Sequence, residues 1–490
     1  MNCKMWISIP TTVVIAVLAL PLQLAAQHTR YKLVDLGTFG GPNSFVNGDA
    51  PPMINNRSAV AGAAETSIPC PYAGGIFSDG VLQPAFLWQD GVLKNLGLLP
   101  GGCFTLPNAI NSKGMMTGSG DIGVIDEATG LPVIHADLRY KGRVLDLGTF
   151  GGSNSLANDL NDRGDVAGGA ENTDPDPWDF ADITLGLPSP TAWHAFLWRA
   201  GRMWDLGTLG GPDSFATIIN SNGQAAGFSF TNSTPNATTG VPTLDPFLWD
   251  GSRMRDLGTL GGTVGFAAAL NSRAQVVGFS DLPGDTANHA FFWDRGALRD
   301  IGTLGGLNSA AGWINDAGDV VGTSDMADGT HHAFIWRHGT MVDLGTIGGD
   351  PCSNGHFINA RGQAVGSSTD CQGTILHTFL WDNGSMIDLS SQVLPGSGFA
   401  AVDPIAINDA GEVVGNGTLL SGENHAVVLK LCIDECTRQV AYGSNTGALL
   451  NRTIGSSKTA REEMLNSPLD RVRAQSGQRY RMLGAGKTSQ

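Results

Sequence analysis

The sequence is poor in charge, and in positive charge above all. Only 15% of its 490 residues are charged, and 29 Lys and Arg stand against 45 Asp and Glu, which makes the formal net charge −16. Residues 432–490 hold nine basic and five acidic residues, so the preceding body is more acidic than the whole chain. Because such a surface repels phosphates, we expect no nucleic-acid partner; cations, sugars and basic proteins remain as ligand classes.

Recognisable catalytic motifs are also missing. The sequence has no GxSxG, HExxH or phosphate-binding loop in a supporting context, and its cysteine spacing matches no zinc-binding motif. With 68 glycines and 41% hydrophobic residues, the chain is instead typical of a turn-rich globular protein with a large core. The composition therefore leans against an enzyme.

The first 27 residues are typical of a cleaved signal peptide. Lys4 is followed by an almost wholly apolar run from Ile7 to Leu24, and LQLAAQ offers small residues for cleavage near Ala26. The apolar run is short for a permanent anchor, although an uncleaved anchor is the alternative. We therefore expect a secreted, extracellular or periplasmic protein with no membrane span in its mature form.

Three short elements recur eight times in the same order. The first is DLGTLGG and its variants, the second is typified by INDAGDVVG, and the third is typified by HAFLW. Such periodicity is the signature of a repeat architecture. The asparagine and glycine of the second element predict a tight turn between strands A and B, and His338-Gly339 and its counterparts predict a turn between strands C and D.

Four short strands per repeat predict an all-β fold, a β-propeller of four-stranded blades over residues 28–431. A lone D-type strand, YKLVDLG, precedes the first repeat, and the last repeat ends on a C-type strand, HAVVLKL. We therefore predict eight blades, the eighth closed by the N-terminal strand, which removes exposed sheet edges. Seven blades or an open β-solenoid are the alternatives.

The three elements resemble the HAF-repeat family of probable extracellular repeat proteins, named after the His-Ala-Phe tripeptide seen at His194, His289 and His332. The resemblance covers residues 31–431 and implies export and a repeat architecture, without a catalytic mechanism to transfer. Asp137 and Arg139 depart from the pattern in the second repeat. Pro84 and Asp245 replace the histidine in two others.

The repeated polar residues are predicted to be structural. Across the C–D turn, His332 lies one diagonal step from Asp343 on the same face, and the same relation recurs in other repeats. Since a catalytic histidine is needed once, repetition favours cross-strand support. The repeated asparagines are assigned to turn formation, and the tryptophans of the HAFLW element to packing between blades, with sugar stacking as the alternative.

Function is therefore sought where the repeats differ. The connection between strands B and C is long in repeats one to four, and these four insertions are predicted to lie over one sector of one face. The richest insertion contains the candidate ligand-binding residues Asp174, Asp176, Trp178, Asp179, Asp182 and Trp193. Its four carboxylates suit calcium, although no cofactor is firmly implied.

Cysteine positions support the same topology. Six cysteines remain after the leader, an even number expected to pair in an oxidising compartment. The strand assignment places Cys70 and Cys103 on the face with the insertions, together with Cys352 and Cys371, so these two disulfides are predicted. Cys432 and Cys436 are proposed as a third pair. Residues 432–490 form a basic tail expected to be disordered.

Three classes of function remain at this point. The first is a monomeric binding scaffold of bacterial type for carbohydrate or protein, acting through the long loops. The second is a carbohydrate-active enzyme, a glycoside hydrolase or lyase, that uses a pair of loop carboxylates. The third is a passive structural surface protein. The composition and the unequal loops favour the first.

Overall fold

The computed structural model describes residues 30–48, 52–72, 80–176, 178, 189–237, 240 and 242–432. They form eight four-stranded antiparallel sheets arranged in a ring, which is an eight-bladed β-propeller. A single short helix of four residues occurs in these segments, and no helix in them is long and apolar enough to cross a membrane. The predicted all-β propeller is confirmed.

The strands follow the repeats closely. Those of the N-terminal segment and blades 1 to 4 are β1 (Arg30–Asp35), β2 (Gly40–Phe45), β3 (Val60–Thr66), β4 (Ala85–Gln89), β5 (Val92–Gly97), β6 (Thr105–Ile110), β7 (Met116–Ile125), β8 (Pro132–Tyr140), β9 (Arg143–Asp146), β10 (Ser155–Leu160), β11 (Val166–Pro175), β12 (Thr191–Arg199), β13 (Arg202–Asp205), β14 (Ser214–Ile219), β15 (Ala225–Phe230), β16 (Leu244–Trp249) and β17 (Met254–Asp256). Those of blades 5 to 8 are β18 (Gly265–Leu270), β19 (Val276–Asp281), β20 (Asn288–Asp294), β21 (Ala297–Asp300), β22 (Gly305–Ile314), β23 (Val320–Met326), β24 (His331–Arg337), β25 (Thr340–Gly345), β26 (Cys352–Ile358), β27 (Ala364–Thr369), β28 (Ile375–Asp382), β29 (Ser385–Asp388), the helix α1 (Ser390–Val393), β30 (Phe399–Ile407), β31 (Val413–Leu419) and β32 (Asn424–Cys432).

The eighth blade is closed by the N-terminal strand. Its strand order is β1-β32-β31-β30, and β1 runs antiparallel to β32 with Leu33 opposite Leu429. Strands separated by nearly 400 positions in the chain therefore share one sheet. This arrangement confirms eight blades in a closed ring and excludes the seven-bladed and open alternatives.

The C–D turns adopt the predicted hairpin geometry. His338 and Gly339 both have positive φ angles, 51° and 86°, as do Asp90 and Gly91 in blade 1. Two consecutive residues of positive φ define the two-residue turn whose twist matches that of the flanking strands. The predicted register follows, with Trp336 opposite Met341 and Phe334 opposite Asp343.

The core lies within and between the blades. The phenylalanine of the HAFLW element is fully buried, as Phe379 is in blade 7. The glycine on strand B makes room for it, because a Cβ on Gly366 would lie 2.5 Å from Cζ of Phe379 and 2.0 Å from the Asn354 carbonyl oxygen. The tryptophans pack between blades as predicted: the ring centroids of Phe292 in blade 5 and Trp336 in blade 6 are 4.9 Å apart.

The A–B turns are joined in a closed ring of hydrogen bonds. Oδ1 of Asn359 accepts the N–H groups of Arg361 and Gln363 and so closes its own turn. Its Nδ2 donates to the Asn408 carbonyl oxygen of the next blade at 3.0 Å, and Asn408 in turn donates to the Asn55 carbonyl oxygen at 3.1 Å. The same donation links all eight turn asparagines: Asn55, Asn111, Asn161, Asn220, Asn271, Asn315, Asn359 and Asn408.

Replacing one member of this asparagine ring should destabilise the whole propeller. We expect Asn359→Ala to lower the free energy of unfolding by about 1–3 kcal/mol, because one buried carbonyl group and two partly buried N–H groups lose a partner. The measurement is chemical denaturation followed by circular dichroism. Asn222→Ala is the matched control, since that side chain bonds the Ser272 carbonyl oxygen at an exposed turn. Equal losses in the two variants would contradict a special role for the ring.

Removal of β1 should open the ring. A chain starting at residue 37 loses Tyr31 and Leu36, each 5% exposed, and leaves β32 as a free edge. Burial of a large apolar side chain contributes about 1.5–3 kcal/mol, so we expect a loss of several kcal/mol and a tendency to aggregate. A chain starting at residue 30 is the control and should melt like the longer protein in differential scanning calorimetry. Equal melting of both would contradict closure by β1.

Candidate functional site

The propeller has two unlike faces. The A–B and C–D turns emerge on one face, here called the turn face, and the B–C and D–A connections emerge on the other, here called the loop face. The B–C connections of blades 1, 3 and 4 are long, whereas those of blades 5 to 8 are short turns. The long ones span 67–84, 176–190 and 231–243, and the short ones span 282–287, 327–330, 370–374 and 420–423.

The insertion of blade 2 takes a different form. Sequence analysis predicted a long loop there, but β7 and β8 continue as a paired hairpin to Ile125 opposite Pro132, leaving a turn at 126–131. The β-branched residues at the hairpin tip favour this extension; Val133 and Ile134 are buried, while Val124 and Ile125 are 50% and 45% exposed. Ile68 in the neighbouring insertion of blade 1 is 56% exposed. Apolar side chains therefore point to solvent on the loop face.

The acidic insertion of blade 3 is described in part. Asp174 is exposed, whereas Oδ1 of Asp176 accepts the backbone N–H of Trp178 at 2.8 Å and so helps to form a turn. Asp179 and Asp182 lie outside the described residues. The structure thus brings Asp176 and Trp178 together and leaves the predicted four-carboxylate group untested.

Trp193 serves the core instead of the surface. It is fully buried, and its ring begins an aromatic chain that runs through Phe215, Phe228 and Phe266 to Phe279 at centroid separations of 4.5–6.0 Å. The ring of Trp178 packs, partly buried, against this aromatic cluster. Because Trp193 has no exposed surface, a ligand cannot contact it in this structure.

The repeated histidines and aspartates are paired as predicted. Nδ1 of His332 lies 2.9 Å from Oδ1 of Asp343, and Nδ1 of His194 lies 2.8 Å from Asp205. Burial raises the pKa of Asp205, but hydrogen bonds from His194 and the Gly207 N–H outweigh it and hold the pKa below its ordinary range. The same pairing occurs in two further hairpins, between His135 and Asp146 and between His289 and Asp300, and across the β1–β32 closure, between His425 and Asp35. Five equivalent pairs indicate a structural role.

Blade 7 varies this pairing. Nδ1 of His377 lies 2.7 Å from Asp350 in the preceding D–A loop. The equivalent strand-D residue, Asp388, instead accepts the N–H of Ser391 at the start of α1. In the degraded copy DLSS a helical turn therefore replaces the usual glycine loop. His377 pairs with Asp350 and not with Asp388.

Blade 2 replaces an apolar pair by an ion pair. Asp137 and Arg139 occupy the positions of the usual phenylalanine and tryptophan, and both are buried, at 0% and 2% exposure. The guanidinium donates Nε–H and Nη2–H to the two carboxylate oxygens at 2.9 Å and 2.8 Å, and also to Oγ1 of Thr105. The two departures from the pattern compensate one another, because a buried charge requires a partner.

Blade 4 places two carboxyl groups together. Asp245 stands where other blades have histidine and faces Asp256, the usual partner of that histidine. Burial, and then the charge of Asp256, raises the pKa of Asp245 from its ordinary value of 3.8 to about 7. Below neutral pH the two carboxyl groups therefore share a proton. Above neutral pH both are ionised and the two negative charges repel one another.

Two other polar positions recur that sequence reasoning did not single out. Oγ of Ser155 donates to the Gly148 carbonyl oxygen and accepts the N–H of Ala136 in the preceding blade. Glu171, at the end of strand B, accepts the N–H groups of Ser153 and Asn154 and so orders the D–A loop. The first position could have been found from the sequence, because a serine follows both GGSN (151–154) and GGPD (210–213). Both positions support the loop face.

A Ser–His–Asp grouping with a fully buried serine lies between blades 7 and 8. Nε2 of His356 is 3.3 Å from Oγ of Ser367, and Nδ1 donates to the Pro404 carbonyl oxygen with Asp403 4.0 Å away. Burial lowers the pKa of His356, which leaves the imidazole neutral and able to accept from the serine. Ser367 is fully buried, however, so a substrate has no access to the hydroxyl. The grouping is structural in this conformation.

Both disulfides predicted on the loop face are present. Cys70 is joined to Cys103 and Cys352 to Cys371, with Cα separations of 5.6 Å and 5.1 Å. Cys432 is also disulfide-bonded, while Cys436 lies outside the described residues. These bridges hold B–C and D–A connections together where the asparagine ring does not reach.

Comparisons with known proteins add no named relative. No family model and no curated protein matches the chain. Solved structures similar to it include the β-propeller domain of the Trilobed protease from Pyrococcus furiosus, at 9% identity and a TM-score of 0.42 over 71% of this chain and 96% of that one. The Pyrococcus horikoshii acylaminoacyl peptidase is 12% identical, at a TM-score of 0.41 over 78% of this chain and 59% of that one. A gluconolactonase from Xanthomonas campestris is 10% identical, at a TM-score of 0.28 over 82% of this chain and 97% of that one.

The carboxyl pair of blade 4 predicts a pH-dependent stability. Because the folded pKa of Asp245 is raised, the folded state binds the proton more tightly than the unfolded state does, and stability falls as the pH rises from about 4 to about 7. The loss amounts to at most about 4 kcal/mol. Asp245→His, which recreates the pairing of the other blades, should remove this part of the pH dependence.

The measurement is the melting temperature of both proteins at about pH 5 and about pH 8. His289→Asp provides the reciprocal control, because it creates an Asp–Asp pair against Asp300 and should add a loss at the higher pH. An unchanged difference between the two pH values in Asp245→His would contradict the assignment.

Proposed function

We propose that the protein is an exported binding scaffold whose loop face, over blades 1 to 4, holds a carbohydrate or protein ligand. The observation that carries the proposal is the placement of all four insertions on consecutive blades and on one face. The turn face, in contrast, is nearly uniform around the ring. Binding residues are commonly carried by loops on a rigid framework, and this arrangement concentrates the variable loops in one sector.

The chemistry of the insertions supports a ligand with apolar surface. Ile68, Val124 and Ile125 are each about half exposed, on neighbouring blades. The first belongs to an insertion tied down by the Cys70–Cys103 disulfide, and the others to a hydrogen-bonded hairpin. Because these side chains are held in place before binding, little conformational entropy is lost on association. Sugar ring faces and apolar protein surfaces both meet this description.

Export is supported by the disulfides, which persist in oxidising compartments. The partly described acidic insertion adds Asp174 and Asp176, so calcium belongs in the binding assay as a variable. A hydrolase or lyase role gains no support from the described residues. The serine of the Ser–His–Asp grouping is fully buried, and in blade 4 Asp245 and Asp256 occupy the positions of a structural His–Asp pair.

The proposal is tested on glycan and cell-envelope protein arrays, with and without calcium. One variant carries Ile68→Ser, Val124→Ser and Ile125→Ser, and a second has residues 176–190 replaced by the short turn 282–287 of blade 5. Both should bind at least about tenfold more weakly than the unaltered protein if the loop face holds the ligand, since one or two anchors carry most of such an interface.

The matched control removes apolar side chains elsewhere. Leu145→Ser with Val342→Ser alters residues that are 46% and 45% exposed on outer strands, and binding should be retained. Equal weakening by the control would contradict a loop-face site. Turnover of a bound glycan would contradict the scaffold role and favour the carbohydrate-active enzyme.

A further inference from the structure

A histidine lies beside one of the two described disulfides. His331 begins strand C of blade 6, Cys352 begins strand A of blade 7, and Cys371 lies in the B–C turn of blade 7. An imidazole nitrogen of His331 and the two sulfur atoms all lie within 4.8 Å of one another. Among the described residues, no other group of three such side chains is gathered this closely.

The surroundings of this His331–Cys352–Cys371 cluster suit a thiolate. The backbone N–H of His331 donates to Sγ of Cys352 at 3.3 Å, and Cys352 is fully buried. A hydrogen bond to sulfur stabilises the negative charge of a thiolate and tunes a metal bound to it. Cys371 is exposed, so the cluster opens to solvent on one side. A reductant and an ion can therefore reach it from the loop face.

We propose that reduction of the Cys352–Cys371 disulfide converts this cluster into a zinc site. A dithiol reductant gives two electrons and two protons to the bridge, which becomes two thiols while the reductant becomes a disulfide. Zn²⁺ then displaces one proton from each thiol and is bound by two thiolates and the neutral imidazole of His331. Water from the open side completes the fourth position.

The ligand set selects this class of metal. Thiolate and imidazole ligands favour zinc and other borderline divalent ions, whereas calcium and magnesium require oxygen ligands. The spacing of the three residues in the chain matches no zinc motif, because two of them begin strands of different blades and the third lies in a turn. The fold alone brings them together.

Zinc would preserve the cross-link that reduction removes. The bridge ties the first residue of strand A to the B–C turn of the same blade, and the metal would hold the same two points while adding blade 6 through His331. Because the ligands are in place only in the folded state, binding free energy becomes folding free energy. Reduced protein should therefore melt at a higher temperature with zinc than without it.

The test uses cobalt as a spectroscopic stand-in for zinc. A variant with Cys70→Ser, Cys103→Ser, Cys432→Ser and Cys436→Ser keeps Cys352 and Cys371 as its only cysteines after the leader. It is reduced with a phosphine, freed of reductant under nitrogen and titrated with Co²⁺. We expect one cobalt per chain, a near-ultraviolet thiolate-to-cobalt band, and loss of that band on addition of zinc. The oxidised protein should give no band.

Two comparisons identify the ligands. His331→Asn in the same background should weaken cobalt binding at least about tenfold, since loss of a ligand costs no less than loss of its supporting contacts. If the four-serine variant does not fold, the cobalt spectrum of the reduced double variant Cys352→Ser with Cys371→Ser is subtracted from that of the reduced wild type. The difference spectrum should show the same thiolate-to-cobalt band. Absence of the thiolate band in that spectrum, or equal cobalt affinity in the His331→Asn protein, would overturn the proposal.

Discussion

The ring of asparagine side chains on the turn face is the interaction on which the architecture depends. Each side chain closes its own A–B turn through Oδ1 and donates through Nδ2 to the next turn, so one residue determines both the local conformation and the spacing between blades. The last donation, from Asn408 to Asn55, joins the two ends of the repeat array. Because each donor needs an acceptor at the same distance, the ring tolerates no missing blade.

The sequence predicted the features that recur. Eight copies of one pattern made the strand assignment robust, since an error in one repeat is corrected by the others, and the lone YKLVDLG strand identified the closure. The pairing of His332 with Asp343 followed from a two-residue turn and the geometry of an antiparallel hairpin. The disulfides followed from assigning cysteines to one face. All of these features follow from a pattern that several repeats share or from the alternating direction of the strands.

Features that belong to a single repeat could not be predicted in this way. Trp193 was indistinguishable from a ligand-binding tryptophan until its burial against Phe215 of the next blade was known. The closeness of His331 to a disulfide could not be predicted from its own repeat, because both cysteines belong to blade 7. Asp137 and Arg139 are only two positions apart in the sequence, but the sequence does not show that they form an ion pair. The pair is required because both side chains are buried.

The two faces are held together by different means, and this difference bears on where function can develop. On the turn face every blade depends on the same asparagine, so variation there breaks the ring. The loop face has recurring contacts too, such as those of Glu171 and Asp325 to the D–A loop of their own blade, but these contacts do not form a ring, and disulfides add to them in single blades. A change in one such contact affects one or two blades and leaves the ring intact. The loop face can therefore accept the insertions and apolar tips of blades 1 to 4 and the His331–Cys352–Cys371 cluster of blades 6 and 7.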